Sequence, residues 1–385
     1  MSRINSQKTY DYAEADIDVQ GKSSCDVTQN SSRGVFAWGQ NSRMRRKMFA
    51  GLAVASALAL GLSACSGSTA KNDGKGKGSG TVKVIAHNSF TLPDDVIKKF
   101  EKTSGYTVKK VTPGDAGAVV NQLVLANGKP EADVVFGVDT FTAGRALKGN
   151  IAVEYETSKN HGKEAVLEKK FTPIDRGDVC VNYDKKWFEE KGIKTPETLE
   201  DLAKPEYAKL LVVENPAQSS PGYAFLAATV HELGDAKYEE YWKKLIAGGT
   251  RVAGGWNDAY YTDFSGSKGK GKYPLVVSYS SSPSAENGAT GVLPKTCVKQ
   301  VEYAGVLRGA ENPEGAKAFV DFLLSEDVQK AVAPSMYIYP VTDVKLPDEW
   351  VKYAPKVDSP ISIDPKTVGE KGDTWLKNWR SAAGM

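Results

Sequence analysis

The side chains able to do chemistry in this chain sit where an apolar run ends or a helix signal opens. They are His87 in His87-Asn88-Ser89-Phe90, Asp115 after Pro113-Gly114, Asp139 after Gly137-Val138, and Ser219-Ser220 before Pro221-Gly222. Trp256 follows Gly255, Tyr279-Ser280-Ser281-Ser282 precede Pro283, and Tyr337 stands further on. The set mixes rings, hydroxyls and carboxylates without a concentration of Lys or Arg. An aromatic face attracts a cation by ~0.5–2 kcal/mol, and carboxylates add charge complementarity. Helix N-terminal amides and serine hydroxyls hold an anion or a hydroxyl group. Together these groups suit a flat, positively charged ring compound with a polar tail.

A plainer use stands beside each. Trp256 after a glycine pair can be a packing residue, and Tyr279 ends an apolar strand and can belong to the core. His87 can be an ordinary loop histidine, and Asp139 can cap a helix opening at Thr140. Ser219-Ser220-Pro221-Gly222 is an N-cap signal in its own right, and a cap leaves some terminal amides for a ligand. If Trp256 is a cleft wall rather than core, its removal should cost affinity without costing fold.

Hydrophobic periodicity supplies the elements that must position these loops. Strands are expected at 82–86, 106–111 and 132–138. Helices are expected from Pro93-Asp94 to near Gly105, at 116–126 and at 140–147. That alternation predicts a parallel sheet covered on both faces. The pattern restarts with strands at 179–183 and 210–213, helices at 221–233 and 237–246, a short aromatic helix at 255–264, and a strand at 274–279. A run from 297 to 307 leads into a helix at 313–324, and a last helix falls around 374–380. The expected fold is α/β and two-lobed, with the ligand cleft between the lobes at the carboxyl ends of the strands.

Ahead of this region, Arg43, Arg45, Arg46 and Lys47 precede an apolar run from Met48 to Leu62. The run is shorter than the ~20 residues of a spanning helix. Its basic flank and small-residue end read as a signal peptide over 44–64. Leu62-Ser63-Ala64-Cys65 resembles the bacterial lipobox, which makes Cys65 the lipidated first residue of the mature chain and its membrane anchor. Residues 1–43 are polar and aperiodic and read as a doubtful leader before a start at Met44, with a cytoplasmic tail as the alternative. Residues 65–80, rich in Gly, Ser and Lys, form a flexible tether. The lobes are placed at 81–172 with 303–336, and at 173–302 with 337–385. Of 50 Lys/Arg and 47 Asp/Glu, residues 1–80 hold 11 and 6, leaving 39 and 41. The basic balance therefore belongs to the leader, and no basic face argues for nucleic acid.

Cys25 falls in the leader and Cys65 is the lipid site, which leaves Cys180 and Cys297 of the four cysteines. In an exported domain two thiols suggest a disulfide. Two buried free thiols, or a catalytic cysteine, are the alternatives.

Six ordered segments at these loops resemble the thiamine-binding periplasmic protein family, the solute receptors of thiamine ABC importers. They are NSF at 88–90, ADVVFGVD at 132–139, NPAQSSPG at 215–222, GGWNDAY at 254–260, VVSYSSSP at 276–283 and YIYPVTDVKLP at 337–347. The resemblance implies a type II periplasmic-binding-protein-like fold. It also implies a monomer that captures thiamine or its phosphates and hands it to a permease and ATPase complex. By the same resemblance Asp115, with the backbone around Ala116, meets the aminopyrimidine. Ser219, Ser220, Tyr279, Ser280, Ser281 and Ser282 meet the hydroxyethyl or phosphate end, and Trp256 walls the aromatic cage. Three positions depart from the family: His87 stands for a Tyr, Tyr337 for a Trp, and Ala285 near another cage Tyr. Tyr260 or Tyr339 can rebuild that wall, and Asp139 joins the candidates as a ligand contact.

No catalytic residue, cofactor or resident metal is expected. One alternative is a receptor for another solute, such as ferric iron, for which Tyr260-Tyr261 is a candidate pair, or a polyamine. The other is a thiamine-degrading enzyme, which needs a nucleophilic cysteine beside a base.

Overall fold

A computed structural model describes residues 78–268 and 271–385. The expectations for 1–43, for the signal at 44–64, for lipidated Cys65 and for most of the tether lie outside the described residues. Among the described residues no helix is long and apolar enough to cross a membrane.

The described chain opens with β1 (Thr81–Ala86), α1 (Asp94–Ser104), β2 (Thr107–Val111), α2 (Ala116–Ala126), β3 (Val134–Asp139) and α3 (Ala143–Lys148). A long strand, β4 (Thr172–Asp184), leads to α4 (Lys185–Lys191), α5 (Leu199–Leu202), α6 (Pro205–Ala208) and β5 (Leu211–Glu214). Then come α7 (Ser220–Leu233), α8 (Tyr238–Ala247), β6 (Arg251–Ala253) and a π-helical turn (Asp258–Asp263). They are followed by β7 (Leu275–Tyr279), α9 (Ser282–Ala285), β8 (Thr290–Val292) and β9 (Val298–Val306). The chain ends with α10 (Pro313–Leu323), α11 (Glu326–Met336), β10 (Tyr339–Pro340), α12 (Asp348–Tyr353) and α13 (Pro365–Ala383).

Local signals account for most boundaries. Helix α1 stops at Gly105, whose φ of 83° suits a residue without a Cβ. Asp115 caps α2 by accepting from the Ala116 amide, and α2 ends at Asn127 in the left-handed region. Asn312 caps α10 ahead of Pro313.

The strands join in one sheet of order β2-β1-β3-β9-β4-β7-β5-β6, with β8 and β10 both paired to β4. The parallel expectation holds at the two ends. β1 pairs in parallel with β2 and β3, and β5 in parallel with β6 and β7. It fails in the middle, where β9 is antiparallel to β3 and β4, and β4 is antiparallel to β7. The two middle strands run from one half of the molecule to the other, so neither belongs to a βαβ unit.

Apolar cores lie on both sides of these strands. One side buries Val84, Phe136, Phe319 and Val328 together, with Val119, Leu123 and Val135 on the opposite face. The other buries Val181, Phe225, Trp242, Val277 and Trp379. Sequence periodicity found only 179–183 of β4, because Asp175, Arg176, Gly177 and Asp178 break the alternation. Helices α4, α11 and α12 were missed too, α11 carrying Pro334 inside its last turn. Cys297 precedes β9 rather than lying within it. Cys180 and Cys297 are joined by a disulfide across the β4/β9 ladder, one position beyond the Val179–Val298 pair.

Candidate ligand-binding site

The β1 and β3 ends place the first half of the site. After Ala86 the chain turns tightly, the Phe90 amide donating to the His87 carbonyl at 3.1 Å and the Asn88 amide to the Gly114 carbonyl at 2.8 Å. His87 Nδ1 meets Ser89 Oγ at 2.8 Å. Its ring packs on Phe136 with centroids 5.4 Å apart. Gly137, at φ 95°, is required here, since a Cβ on it would fall 2.4 Å from His87 Cδ2. Asp115 uses one oxygen for the Ala116 amide (2.7 Å) and the other for the Trp256 amide (3.0 Å). The cap therefore already occupies the Ala116 backbone, while the second oxygen ties α2 to the loop after β6.

Asp139 is wholly buried and does cap the turn after β3, accepting from the Phe141 amide at 2.7 Å and the Thr142 amide at 3.1 Å. Ser220 Oγ donates to it as well. Burial raises the Asp139 carboxyl to about 6, against which those hydrogen bonds act.

The second half of the site comes from β6, β7 and α7. Trp256 is 7% exposed, stacks on Tyr260 at 5.0 Å and 13°, and donates from Nε1 to Ser278 Oγ at 2.9 Å. It is thus wall and core at once, which corrects the expectation that its loss would spare the fold. Tyr260 is the layer behind it, its hydroxyl near the Ser282 carbonyl (3.4 Å) and Glu286 (3.3 Å). Tyr279 sits at the junction of three cores and its hydroxyl accepts from Gln300 at 3.3 Å. Burial pushes its phenol well above the usual range.

The serines divide by role. Ser282 Oγ shares a hydrogen with Ser278 Oγ at 2.8 Å and accepts from the Tyr279 amide at 3.2 Å, bracing the ring wall. Ser281 Oγ donates to the Tyr337 carbonyl at 2.6 Å. Ser280 is buried, its amide bonded to the Asp178 carbonyl at 2.8 Å.

One narrow cavity collects His87, Ser89, Asp115, Ser220, Pro221, Trp256, Tyr279, Glu302, Met336 and Ile338. Five of the candidates therefore meet: His87, Asp115, Ser220, Trp256 and Tyr279. Ser219 instead lines a separate cavity with Arg145 and Tyr223. Tyr337, at φ 54°, packs with Ala333, Trp350 and Ala354 while its neighbours Met336 and Ile338 face the pocket. Tyr339 joins that same cluster, edge-on to Trp350 at 5.2 Å.

Sequence reasoning missed Glu302. The signal was present: a lone carboxylate in the otherwise apolar stretch from Val301 to Val306. In the sheet Glu302 stands opposite Asp139 on β3 and Asp175 on β4. Its Oε2 lies 3.7 Å from His87 Nε2. Burial acts to raise the Glu302 carboxyl, but the His87 charge, with Asp175 nearby and the Gln300 amide donating at 3.3 Å, brings it below its ordinary value. Burial and the Glu302 charge push Asp175 well up. Burial would lower His87, yet Glu302, Asp115 and Asp139 raise it overall. Among the described residues no three His, Cys, Asp or Glu side chains cluster to hold a metal.

A two-sided sheet with crossing strands and a pocket between its halves describes a solute receptor. Residues 129–359, more than half of the chain, match the bacterial extracellular solute-binding protein family, and the chain belongs to it. Within that class, the thiamine-binding periplasmic protein of Salmonella typhimurium is 27% identical over 312 residues, covering 78% of this chain and 92% of that one. Among solved structures, a periplasmic thiamin binding protein superposes with a TM-score of 0.71 at 25% identity, covering 79% of this chain and 96% of that chain. A ferric binding protein from Campylobacter jejuni shares the fold, with a TM-score of 0.64 at 18% identity over 78% and 99% of the two chains.

Proposed function

We propose that the protein is an extracytoplasmic receptor that captures thiamine or its phosphates and delivers it to an ABC importer's permease and ATPase. The observation that carries this is the pocket's composition. Trp256 and Tyr279 offer aromatic faces, Asp115 and Glu302 offer carboxylates, and neither Lys nor Arg is among the lining residues. A thiazolium ring needs a π face and a counter-charge, and an aminopyrimidine needs an acceptor such as Asp115. Ser220, in the first turn of α7, suits the hydroxyethyl or phosphate end.

Relatives named for thiamine binding support the same reading. For a ferric receptor Tyr260 is poorly placed, being stacked behind Trp256 with its hydroxyl engaged. For a thiamine-degrading enzyme the required thiolate is hard to supply, since Cys180 and Cys297 are bonded to each other. The lobes of this reading are 81–172 with 303–336 and 173–302 with 337–385, held by Cys65 and its tether to the outer face of the cytoplasmic membrane, as a monomer. Bonds such as Gly117 N to the Gln218 carbonyl at 2.8 Å then cross the cleft and mark a closed state.

Calorimetric titration of the purified protein with thiamine, its monophosphate and its diphosphate tests the proposal. Saturable binding of at least one form is expected. Heat no greater than dilution for all three would refute it.

A further inference from the structure

The inference concerns the charge chemistry at the floor of the same pocket, and it rests on the thiamine reading. Asp139, Glu302 and Asp175 occupy facing positions on three adjacent strands, β3, β9 and β4. All three are buried, and a basic side chain stands against Glu302: His87, whose imidazole has 8% exposure. The groups facing His87 are Glu302 from β9, Asp115 from the start of α2 and Asp139 from β3, all acidic. Facing Glu302 are His87, Asp175 and Gln300. Both His87 and Glu302 line the cavity beside Trp256 and Tyr279.

We propose that Glu302 is the counter-ion for the ligand's cationic ring, that His87 keeps this carboxylate neutralised while the pocket is empty, and that cation capture therefore expels one proton. Geometry makes the two cations competitors. The His87 Nε2–Glu302 Oε2 separation of 3.7 Å is too long for a direct hydrogen bond, so the imidazolium is attracted mainly by charge. His87 Nδ1 can remain bonded to Ser89 in either protonation state, so loss of the Nε2 proton breaks no direct bond. A ring cation seated on Glu302 repels the imidazolium beside it, and the proton is the one of the two charges that can leave to solvent. The balance is simple: ring cation enters, H⁺ departs from Nε2, and the pocket's net charge is unchanged. A neutral ring of the same shape gains nothing from Glu302 and displaces no proton.

The sign follows from His87 being held above its ordinary value: affinity for a cation rises as pH rises through that value, and affinity for a neutral isostere does not. The probes are thiamine and an isostere carrying thiophene in place of thiazolium. Each is titrated calorimetrically from about pH 5.5 to about pH 8.5 in two buffers of different ionisation heat. Thiamine should release up to one proton per site and tighten by as much as ~10-fold per pH unit within the window, while the isostere does neither. His87→Gln should still bind thiamine, with the pH slope and proton release gone. Glu302→Gln should bind thiamine ~10–100-fold more weakly and bring the two probes close together in affinity. Thiamine binding without proton release, or a pH slope that survives His87→Gln, overturns the inference while leaving the receptor reading standing. No thiamine binding at any pH overturns both.

Discussion

The two sides of the pocket are built differently. The side from α2 and β9, with His87, supplies charge: Asp115 and Glu302 beside one imidazole, with buried Asp139 on β3 also acting on it. The side from β6, β7 and the π-helical turn supplies faces: Trp256 stacked on Tyr260, with Tyr279 beside them. Rings bury apolar area and brace one another, so their contribution changes little with pH. Buried acids are held by protons and hydrogen bonds, so theirs depends on pH. A receptor for an aromatic cation needs both kinds of wall, and here they come from distant stretches of chain. The contrast implies that substitutions on the ring side cost packing at any pH, whereas those on the charged side move pH profiles.

The largest effect should come from the ring side. Trp256→Ala removes a buried indole, and unfolding by denaturant should show a loss of ~3–5 kcal/mol. Its thiamine affinity, measured on whatever folds, should fall by one to two decades, or ~1–3 kcal/mol. Trp256→Phe keeps a π face and should recover part of both. Full apo stability in Trp256→Ala would mean the indole is only a wall, and the contrast would lose its packing half.

Next is the covalent tie between β4 and β9. Cys180→Ala paired with Cys297→Ala should lower stability by ~2–4 kcal/mol, equally across pH. Peptide mapping without reductant should return the linked pair. Two alkylatable thiols in the native protein would contradict it.

The charged side predicts an unusual pH profile. Asp139 holds its proton more tightly when folded, with a value of about 6 against 3.8 for the free side chain. Its stabilising contribution is complete below about pH 4 and is lost as pH rises through about 6. At ~1.4 kcal/mol per unit this single group is worth ~2–3 kcal/mol. Asp175 and Glu214, also raised by burial, and His87, raised by its acidic neighbours, act in the same direction. Apo melting temperature should therefore fall from about pH 4 to about pH 7, and Asp139→Asn should flatten the lower part of that curve, between about pH 4 and about pH 6. A wild-type profile that rises over this range would show that the acids stay ionised.

The smallest expected effect belongs to Asp115→Asn. The amide oxygen can still accept from one of the two amides now bound, so stability should drop by ~1 kcal/mol or less. Thiamine affinity should fall about tenfold, as an acceptor and a charge are lost together. Unchanged affinity in titration would assign Asp115 to capping alone.

Legibility in the sequence followed locality. The first βαβαβ order, the start of α7 at Ser220-Pro221 and the strand ending in Tyr279 could all be read from periodicity and caps, within a few residues. Trp256 and Tyr279 stood out as rings at strand and helix ends. Glu302 did not, because a carboxylate inside a strand looks like one residue of a solvated face until its neighbours are known. Met336 and Ile338 looked ordinary, and the conspicuous Tyr337 between them packs against the Ala333, Trp350 and Ala354 cluster instead. A residue at φ 54° projects its side chain in a direction that strand alternation does not predict.

The sequence alone determined many of the short-range facts: a good part of the helices and strands, where caps stop them, and which rings and carboxylates at their ends are candidates for a ligand. Each of these depends on residues within a turn or two of one another. Tertiary structure decided that β4 and β9 run antiparallel through the middle of the sheet, and so which residues face one another there. Asp175 and Glu302 are 127 positions apart, yet they are partners across one ladder. Register between distant strands is set by the burial of whole faces on both sides, a collective balance that no single stretch encodes. The pairing of His87 with Glu302, and with it the charge of the empty pocket, exists only once that register is made.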